Sequence, residues 1–294
     1  MTSALSAPHL HNEEAAYRYV EARIWPEGPV CPHCGGVERI GLMGGKSTRI
    51  GTYKCYQCRK PFTVKIGTIF EASHVPLNVW LQAMYLIAGS KKGISSNQLH
   101  RTLGVTLKTA WFMSHRIREA MRDGGLAPFG SGGGVVEADE TYIGVEPNAK
   151  QFSNRSGGYH KMKVLALVDR ETGRSRAFVI NHVAADVVLP ILSENLAREA
   201  RLCTDESLIY RRAIKHVSAH GTVNHKAGEY VSRADPSITT NTIEGYFSIF
   251  KRGMRGVYSS AARSTFTAIS PSSISGIQTV PPMASTIASG PTFC

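Results

Sequence analysis

Two Cys-x-x-Cys turns, Cys31-Pro32-His33-Cys34 and Cys55-Tyr56-Gln57-Cys58, constrain this chain more tightly than any other part of it. Each turn bends two thiolates toward one point. At the tips of adjacent hairpins, two such turns close a tetrahedral four-cysteine site of the zinc type. The 20 residues between Cys34 and Cys55 leave room for a strand pair. A redox dithiol has no reason to occur twice. A module this small buries too little apolar surface to fold unaided, so the metal supplies its folding energy. His33 lies between two ligands and is expected to be exposed. Of the six cysteines, Cys203 is expected in a buried strand, and the terminal Cys294 is given no role.

The charge balance points to the partner. Lys and Arg number 34 against 22 Asp and Glu, a formal net charge of +12, which favours a polyanion and most often nucleic acid. An anionic membrane surface is the rival, but no lipidation signal or strongly basic amphipathic helix supports it. The N-terminus Met-Thr-Ser-Ala-Leu-Ser-Ala-Pro-His-Leu lacks a signal-peptide pattern, and there is no run of about 18 apolar residues. A cytosolic protein is expected, which also argues for metal over disulfides. The 294 residues, 42% of them hydrophobic, suggest about two domains.

The periodicity divides the first half. Glu13 to Trp25 reads as a helix stopped by Pro26, Gly28 and Pro29. Basic and aromatic residues alternate from Tyr53 to Phe70, as on a strand edge that lies on phosphate. Residues 13–70 are therefore a zinc ribbon with a preceding helix. Residues 71–122 carry three helices. One is apolar and ends at Gly89; a second is capped by Ser95 or Ser96 and stops at Gly104; a third is capped by Thr106. The last two make a helix-turn-helix. Lys108, Thr109 and His115 are candidate base contacts, and Arg116, Arg118 and Arg122 candidate phosphate contacts. The alternative is a generic three-helix packing unit with an incidental basic face. Residues 123–134, with six Gly and one Pro, are expected to be a linker without regular structure.

The stretch Val135 to Gly144 reads as a short strand, apolar at its start, with Glu137, Asp139 and Glu140 at its acidic end. A carboxylate at the end of a buried strand is held rigidly and still faces a cleft, as a metal-dependent phosphoryl-transfer enzyme requires. Strands are expected to Arg170 and to Ile180, then a helix started or kinked near Pro190. A strand ending in Asp205 follows, with His216 to Ala219 as a candidate fifth strand. In Thr239 to Gly256, Ile243, Phe247 and Phe250 form a buried stripe, while Asn241, Glu244 and Lys251 share another face. The fold class is α+β / α/β, a mixed sheet flanked by helices over residues 135–258.

Taken together, these motifs resemble the bacterial insertion-sequence transposases with an N-terminal zinc ribbon and a ribonuclease-H-like DDE catalytic domain. The resemblance rests on Cys-x2-Cys twice, a helix-turn-helix, Glu-Ala-Asp-Glu-Thr-Tyr-Ile-Gly, Cys-Thr-Asp-Glu, Thr-Val-Asn-His-Lys-Ala-Gly-Glu-Tyr and Asn-Thr-Ile-Glu-Gly-Tyr-Phe-Ser-Ile-Phe-Lys-Arg-Gly. It covers about residues 13–258. It implies cleavage and strand transfer of double-stranded DNA, at element terminal repeats and target, with two Mg²⁺ ions beside the structural Zn²⁺. Asp139 and Asp205 would be the first two magnesium ligands. The third would be Glu244, which has the seven-residue spacing to Lys251, or Asn241. Lys251 would hold a phosphate, and Tyr142, His220 and His225 would line the cleft, a structural role for either histidine being at least as acceptable. The resemblance also implies a homodimer or higher oligomer on DNA in a bacterial cytoplasm. The alternatives are a non-catalytic DNA-binding protein and a structure-specific nuclease. The tail, residues 259–294, departs from the family pattern. It is rich in Ser, Thr, Ala and Pro with Arg263 its one charge, and is expected to be disordered. A shifted reading frame would produce such a tail and leave this copy inactive.

Overall fold

The computed structural model describes residues 3–121, 127–144 and 160–257. Arg122, Cys294, the first linker residues and the 259–294 tail lie outside the described residues. The backbone separates into two compact units, 3–90 with 94–121 and 91–93 with 127–144 and 160–257.

In the first unit, α1 (Pro8–His11) and α2 (Glu13–Ile24) lead into a small antiparallel sheet. The Asn12 side chain accepts from the N–H of Ala15 and starts α2. The sheet joins β1 (Ile40–Leu42), β2 (Tyr53–Cys55) and β3 (Pro61–Phe62), with Ile40 opposite Cys55 and Tyr53 opposite Phe62. Trp25 meets Tyr53 and Phe62 edge-on at 5.7 Å, a patch that covers the cysteine cluster. The strand edge expected to run to Phe70 stops at Phe62. Val64, Ile69 and Phe70 are buried instead in the helical core, because their side chains are too apolar to stay on a surface.

That core is built by α3 (Leu77–Ala88), α4 (Ser96–Leu103) and α5 (Leu107–Ala120). Trp80, Leu99, Met113 and Ile117 are its centre, each 1% exposed or less. The expected punctuation is observed. Ser95 caps α4 through the N–H of Gln98, Gly104 is left-handed with φ 68°, and Thr106 caps α5 through the N–H of Thr109. α4 and α5 are thus two capped helices joined by a tight turn at Gly104.

The second unit is a five-stranded sheet in the order β6 (Ser175–Ile180), β5 (Met162–Asp169), β4 (Val135–Ile143), β7 (Arg201–Asp205), β8 (Ala219–Val223). The first three strands form an antiparallel meander, and β7 and β8 run parallel to β4. This mixed sheet flanked by helices is consistent with a ribonuclease-H-like fold. Side chains alternate across it. Val136, Ala138, Leu165, Leu167 and Leu202 pack against α6 (Ala185–Asn195). Ile143, Val164, Ala166 and Val168 pack against Ile243, Tyr246, Phe247 and Phe250 of α7 (Asn241–Gly256).

Three sequence expectations change here. Residues 127–134 do not behave as a free linker: Phe129 is 2% exposed in the core and pairs with Leu196. Gly130 (φ 74°) lies so close to Ala200 that an added Cβ would sit 2.5 Å from its Cβ. Composition predicts flexibility, but one buried aromatic is enough to fix such a segment. The candidate strand at His216 begins instead at Ala219, and the residues before it form a 3-10 segment, Leu208–Lys215. Finally, β4 is nine residues long and carries Asp139 at its middle, opposite Ala166, not at its end.

Candidate active site and metal centre

In the ribbon, the four thiols of Cys31, Cys34, Cys55 and Cys58 lie within 4.8 Å of one another. Cys31 Sγ is 3.6 Å from Cys58 Sγ, and Cys34 Sγ is 3.7 Å from Cys55 Sγ. Four sulfurs at zinc–thiolate bond lengths on a tetrahedron stand about 3.8 Å apart, so the set fits zinc as it stands. The turn backbone favours the thiolate at one ligand, whereas at Cys34 the pull of the Gly36 N–H is outweighed by burial and the neighbouring thiols, which push the pKa up to about 12. The Cys55 thiol is held down to about 7 by the N–H of Cys58, against burial and with help from the N–H of Gln57. His33 is exposed, as expected, and Cys203 is buried in β7.

The second cluster is assembled over long sequence distances. The β4–β7 register pairs Glu137 with Cys203. Two residues further along each strand stand Asp139 and Asp205, turned by the strand period to the same face. That face is the one α7 covers, since Asp139 is opposite Ala166 of the α7-facing core. Glu244, in the first turn of α7, completes the set. The carboxyl of Asp139 is pushed up to about 7, first by burial, then by the charge of Glu140, with Asp205 and Glu244 adding to it. The N–H of Glu140, donated to Asp139 Oδ1 at 2.7 Å, pulls the other way. Among the described residues, the four cysteines alone gather three or more metal-ligand atoms within 4.8 Å; the carboxylates stand further apart.

Glu137 explains how α7 comes to lie there. Its carboxylate is fully buried, and Oε2 accepts the N–H of Ile243, 106 residues away. Oε1 takes two bonds from Arg170, at 3.0 Å from Nε and 2.8 Å from a terminal nitrogen. Arg170 also donates to the carbonyls of Ser237 and Thr239, just before the helix. A buried anion at a helix N-terminus satisfies an orphan N–H and complements the helix dipole. The same node ties β4, the end of β5 and the start of α7 together, and so sets the position of Glu244 relative to Asp139. Sequence reasoning noticed Glu137 only as a neighbour of Asp139. Its spacing of two from Asp139, on the buried face, was the available signal.

The remaining candidates divide. His225 Nε2 is 3.5 Å from Glu244 Oε1, and the Thr240 hydroxyl stands 3.2 Å from each. Tyr142 and His220 belong to the opposite face of the sheet. Tyr142 alternates with Asp139 on β4, and His220, level with Leu202, bonds Thr204 Oγ1 at 2.9 Å with its pKa lowered by burial. Neither lines the carboxylate cluster, because a strand reverses its face at every residue. Asn241 is the exposed first residue of α7, its N–H given to Thr239 Oγ1. Lys251 is half-buried, its Nζ 5.9 Å from the centre of the Phe247 ring.

On α5, Lys108 is exposed, while Thr109 and His115 are half-buried, His115 tilted against Trp111 at 4.2 Å. Arg116 and Arg118, the expected phosphate contacts, have their guanidinium groups engaged within the protein. Arg116 donates to the carbonyls of Ile69 and Glu71, and Arg118 is 5% exposed and donates to Ser114 Oγ. Both project toward the core side of α5, which their positive charge alone did not reveal. Leu107 and Trp111, exposed at 46% and 55%, stand beside Lys108 and were missed. Their signal was an i, i+4 apolar pair outside the buried stripe.

Known proteins match both halves. Residues 11–61 match the transposase zinc-ribbon domain, and residues 132–268 match the ISXO2-like transposase domain, beyond the point where the sequence motifs end. An uncharacterized protein in transposable element ISH50 of Halobacterium salinarum is 26% identical over 249 residues, 79% of this chain and 81% of that protein. The cryoEM structure of a simian T-cell lymphotropic virus intasome in complex with PP2A regulatory subunit B56 gamma contains a similar chain. It is 12% identical, covers 68% of this chain and 72% of that one, and has a TM-score of 0.31, too low to bear on function. Among the described residues, no helix is long and apolar enough to cross a membrane. With its cysteine cluster inside the transposase zinc-ribbon match and its mixed sheet inside the ISXO2-like transposase match, in that order, the chain is similar over these residues to the transposases that carry a zinc ribbon ahead of such a domain.

Proposed function

We propose that this chain cuts and joins double-stranded DNA at the ends of an insertion sequence, with Asp139, Asp205 and Glu244 as its catalytic carboxylates. The observation that carries the reading is electrostatic: Asp139 feels the negative charge of both Asp205 and Glu244, from three elements remote in sequence. Oxygen donors whose charges already oppose one another suit a hard divalent cation such as magnesium. Bound there, the two ions would neutralise the phosphodiester and acidify the attacking hydroxyl.

The chain's own residues do the positioning. Asp139 and Asp205 hold their carboxylates on one face of the sheet, and the Glu137–Arg170 node fixes the helix that presents Glu244. Glu244 is favoured over Asn241 as the third ligand because its charge reaches Asp139. His225 and Thr240 orient the Glu244 carboxylate. Lys251, two turns along the same helix, grips a phosphate oxygen. The zinc ribbon and the exposed face of α5, through Lys108, Thr109 and His115, hold DNA, and two copies bridge two element ends. The domain limits are residues 13–70 for ribbon and preceding helix, 71–122 for the helix-turn-helix region and 135–258 for the catalytic domain.

The test is strand transfer of terminal-repeat DNA in magnesium by the wild type, Asp139→Ala and Asp205→Ala. Equal activity in all three rules the reading out. A non-catalytic DNA-binding protein is the second reading, favoured by the wider spacing of the carboxylates beside the closed thiol set. It gains if DNA binds with metal-independent affinity and no cut appears with any divalent ion. Cutting without joining would mark a nuclease. Replacing residues 259–294 by a family-like C-terminus tests whether the tail silences this copy; equal activity would refute that.

A further inference from the structure

We propose that the 3-10 segment Leu208–Lys215 is a DNA-backbone contact within the catalytic unit, additional to the N-terminal modules. It takes from the reading above only the identity of the polyanion.

The segment has eight residues, and at three residues per turn it divides into three faces. Tyr210 and Ala213 fill the inner face and are fully buried. Ile209, Arg212 and Lys215 align along one outer face. Leu208, Arg211 and Ile214 align along the other, with Leu208 68% and Ile214 48% exposed. All three cations are exposed, and among the described residues no carboxylate pairs with any of them. Three like charges on one short segment repel each other, and among the described residues no ion pair offsets that repulsion.

The segment is also anchored to β7 and β4, on the sheet face that α6 covers. It begins three residues after Asp205, whose Oδ1 accepts the N–H of Ser207 at 3.0 Å. The Tyr210 hydroxyl donates to the Glu140 carboxylate, one residue along β4 from Asp139. Both anchors lie on strands that carry the catalytic candidates, so the cationic faces keep a fixed relation to them. A phosphodiester chain that reaches Asp139 past the C-terminal end of β7 would meet, on the α6 side of the same sheet, a row of cations that favours it. Guanidinium and ammonium groups suit phosphate oxygens, and the apolar Leu208 and Ile214 suit the sugar edges between them.

The experiment uses the full-length zinc-loaded chain without added magnesium, and a fluorescein-labelled duplex of about 30 base pairs with unrelated sequence. Affinity is measured from 50 to 200 mM salt. Every cation that ceases to neutralise a phosphate should reduce the slope of log K against log salt by about 0.9. The triple variant Arg211→Ala, Arg212→Ala, Lys215→Ala should therefore bind with a slope shallower by about 2.7. The wild type's advantage should shrink about forty-fold across that range. Arg211→Lys with Arg212→Lys should keep the wild-type slope. Arg198→Ala, ahead of the opposite end of β7, should alter the slope by less than about 0.9. An unchanged slope in the triple variant overturns the proposal. So does an affinity loss that is equal at every salt concentration, or a slope reduced equally in Arg198→Ala. Because no cleavage is read, a chain that cuts nothing yet shows the slope change would defeat the catalytic reading and leave this one standing.

Discussion

The thiols of the ribbon and the carboxylates around Asp139 are both clusters of side chains whose chemistry suits a cation, but they are assembled in different ways. Each pair of thiols is built by one local turn, so two turns need only meet once across a small sheet to close the set. The carboxylates come one at a time, from the middle of β4, the end of β7 and the first turn of α7. No local geometry gathers them. A buried node, Glu137 with Arg170 and the N–H of Ile243, ties the helix to the strand. A cluster made of neighbours can depend on its metal for stability, whereas one made of distant elements depends on the fold to bring its charges together.

The sharpest test removes one thiol. Cys55→Ser should lose the ribbon's zinc, read as metal content falling from one ion per chain. The metal-linked folding energy, on the order of 10 kcal/mol, goes with it. DNA binding should fall while the circular dichroism of the larger sheet persists. If the variant keeps its zinc, the ribbon is not closed by four thiolates.

Removing one carboxylate should do the reverse. Asp139→Ala should leave zinc and folding intact and lower strand transfer by about a thousandfold or more. The buried brace sits between these cases. Glu137→Gln leaves a single oxygen to serve both Arg170 and Ile243. It should lower strand transfer about a hundredfold through misplacement of α7, with a similar loss in Arg170→Lys, which keeps the charge but not the fork. Glu137→Ala should also destabilise by about 3–5 kcal/mol, since Arg170 is left without its partner. Activity equal to wild type in Glu137→Gln would mean that Glu244 is positioned without the node.

The smallest effect follows from the carboxyl of Asp139, which titrates at about 7 in the folded chain and near 4 when unfolded. Between those values the folded state holds the extra proton. The contribution of this group to stability is therefore fully present below about pH 4 and is lost as the pH rises through about 7, by on the order of a few kcal/mol. In zinc-loaded protein without added magnesium, melting temperature should fall from pH 5 to pH 8. Asp139→Asn should flatten that fall, and magnesium should restore more at pH 8 than at pH 5. A wild-type melting temperature that rises over this range would place the strain elsewhere.

The caps at Ser95 and Thr106, the left-handed Gly104, the thiol turns and the buried stripe of α7 were legible because each depends on residues a few positions apart. Asp205 and Glu244 were legible as acidic residues at plausible places, though their approach to Asp139 was not. The position of Asp139 within its strand, the burial of Arg118 and the opposite facing of Tyr142 and His220 required partners from elsewhere in the chain.

By itself, then, the sequence determined the local elements and the chemistry available to them: thiolate knuckles, capped helices, an acid-bearing strand and a cationic surplus. Tertiary structure alone decided which face of β4 carries Asp139, which arginines bond to carbonyls, and that a buried Glu137 ties the helix carrying Glu244 to that strand. Strand parity and helix docking are set by burial summed over the whole core, and that sum cannot be evaluated one segment at a time.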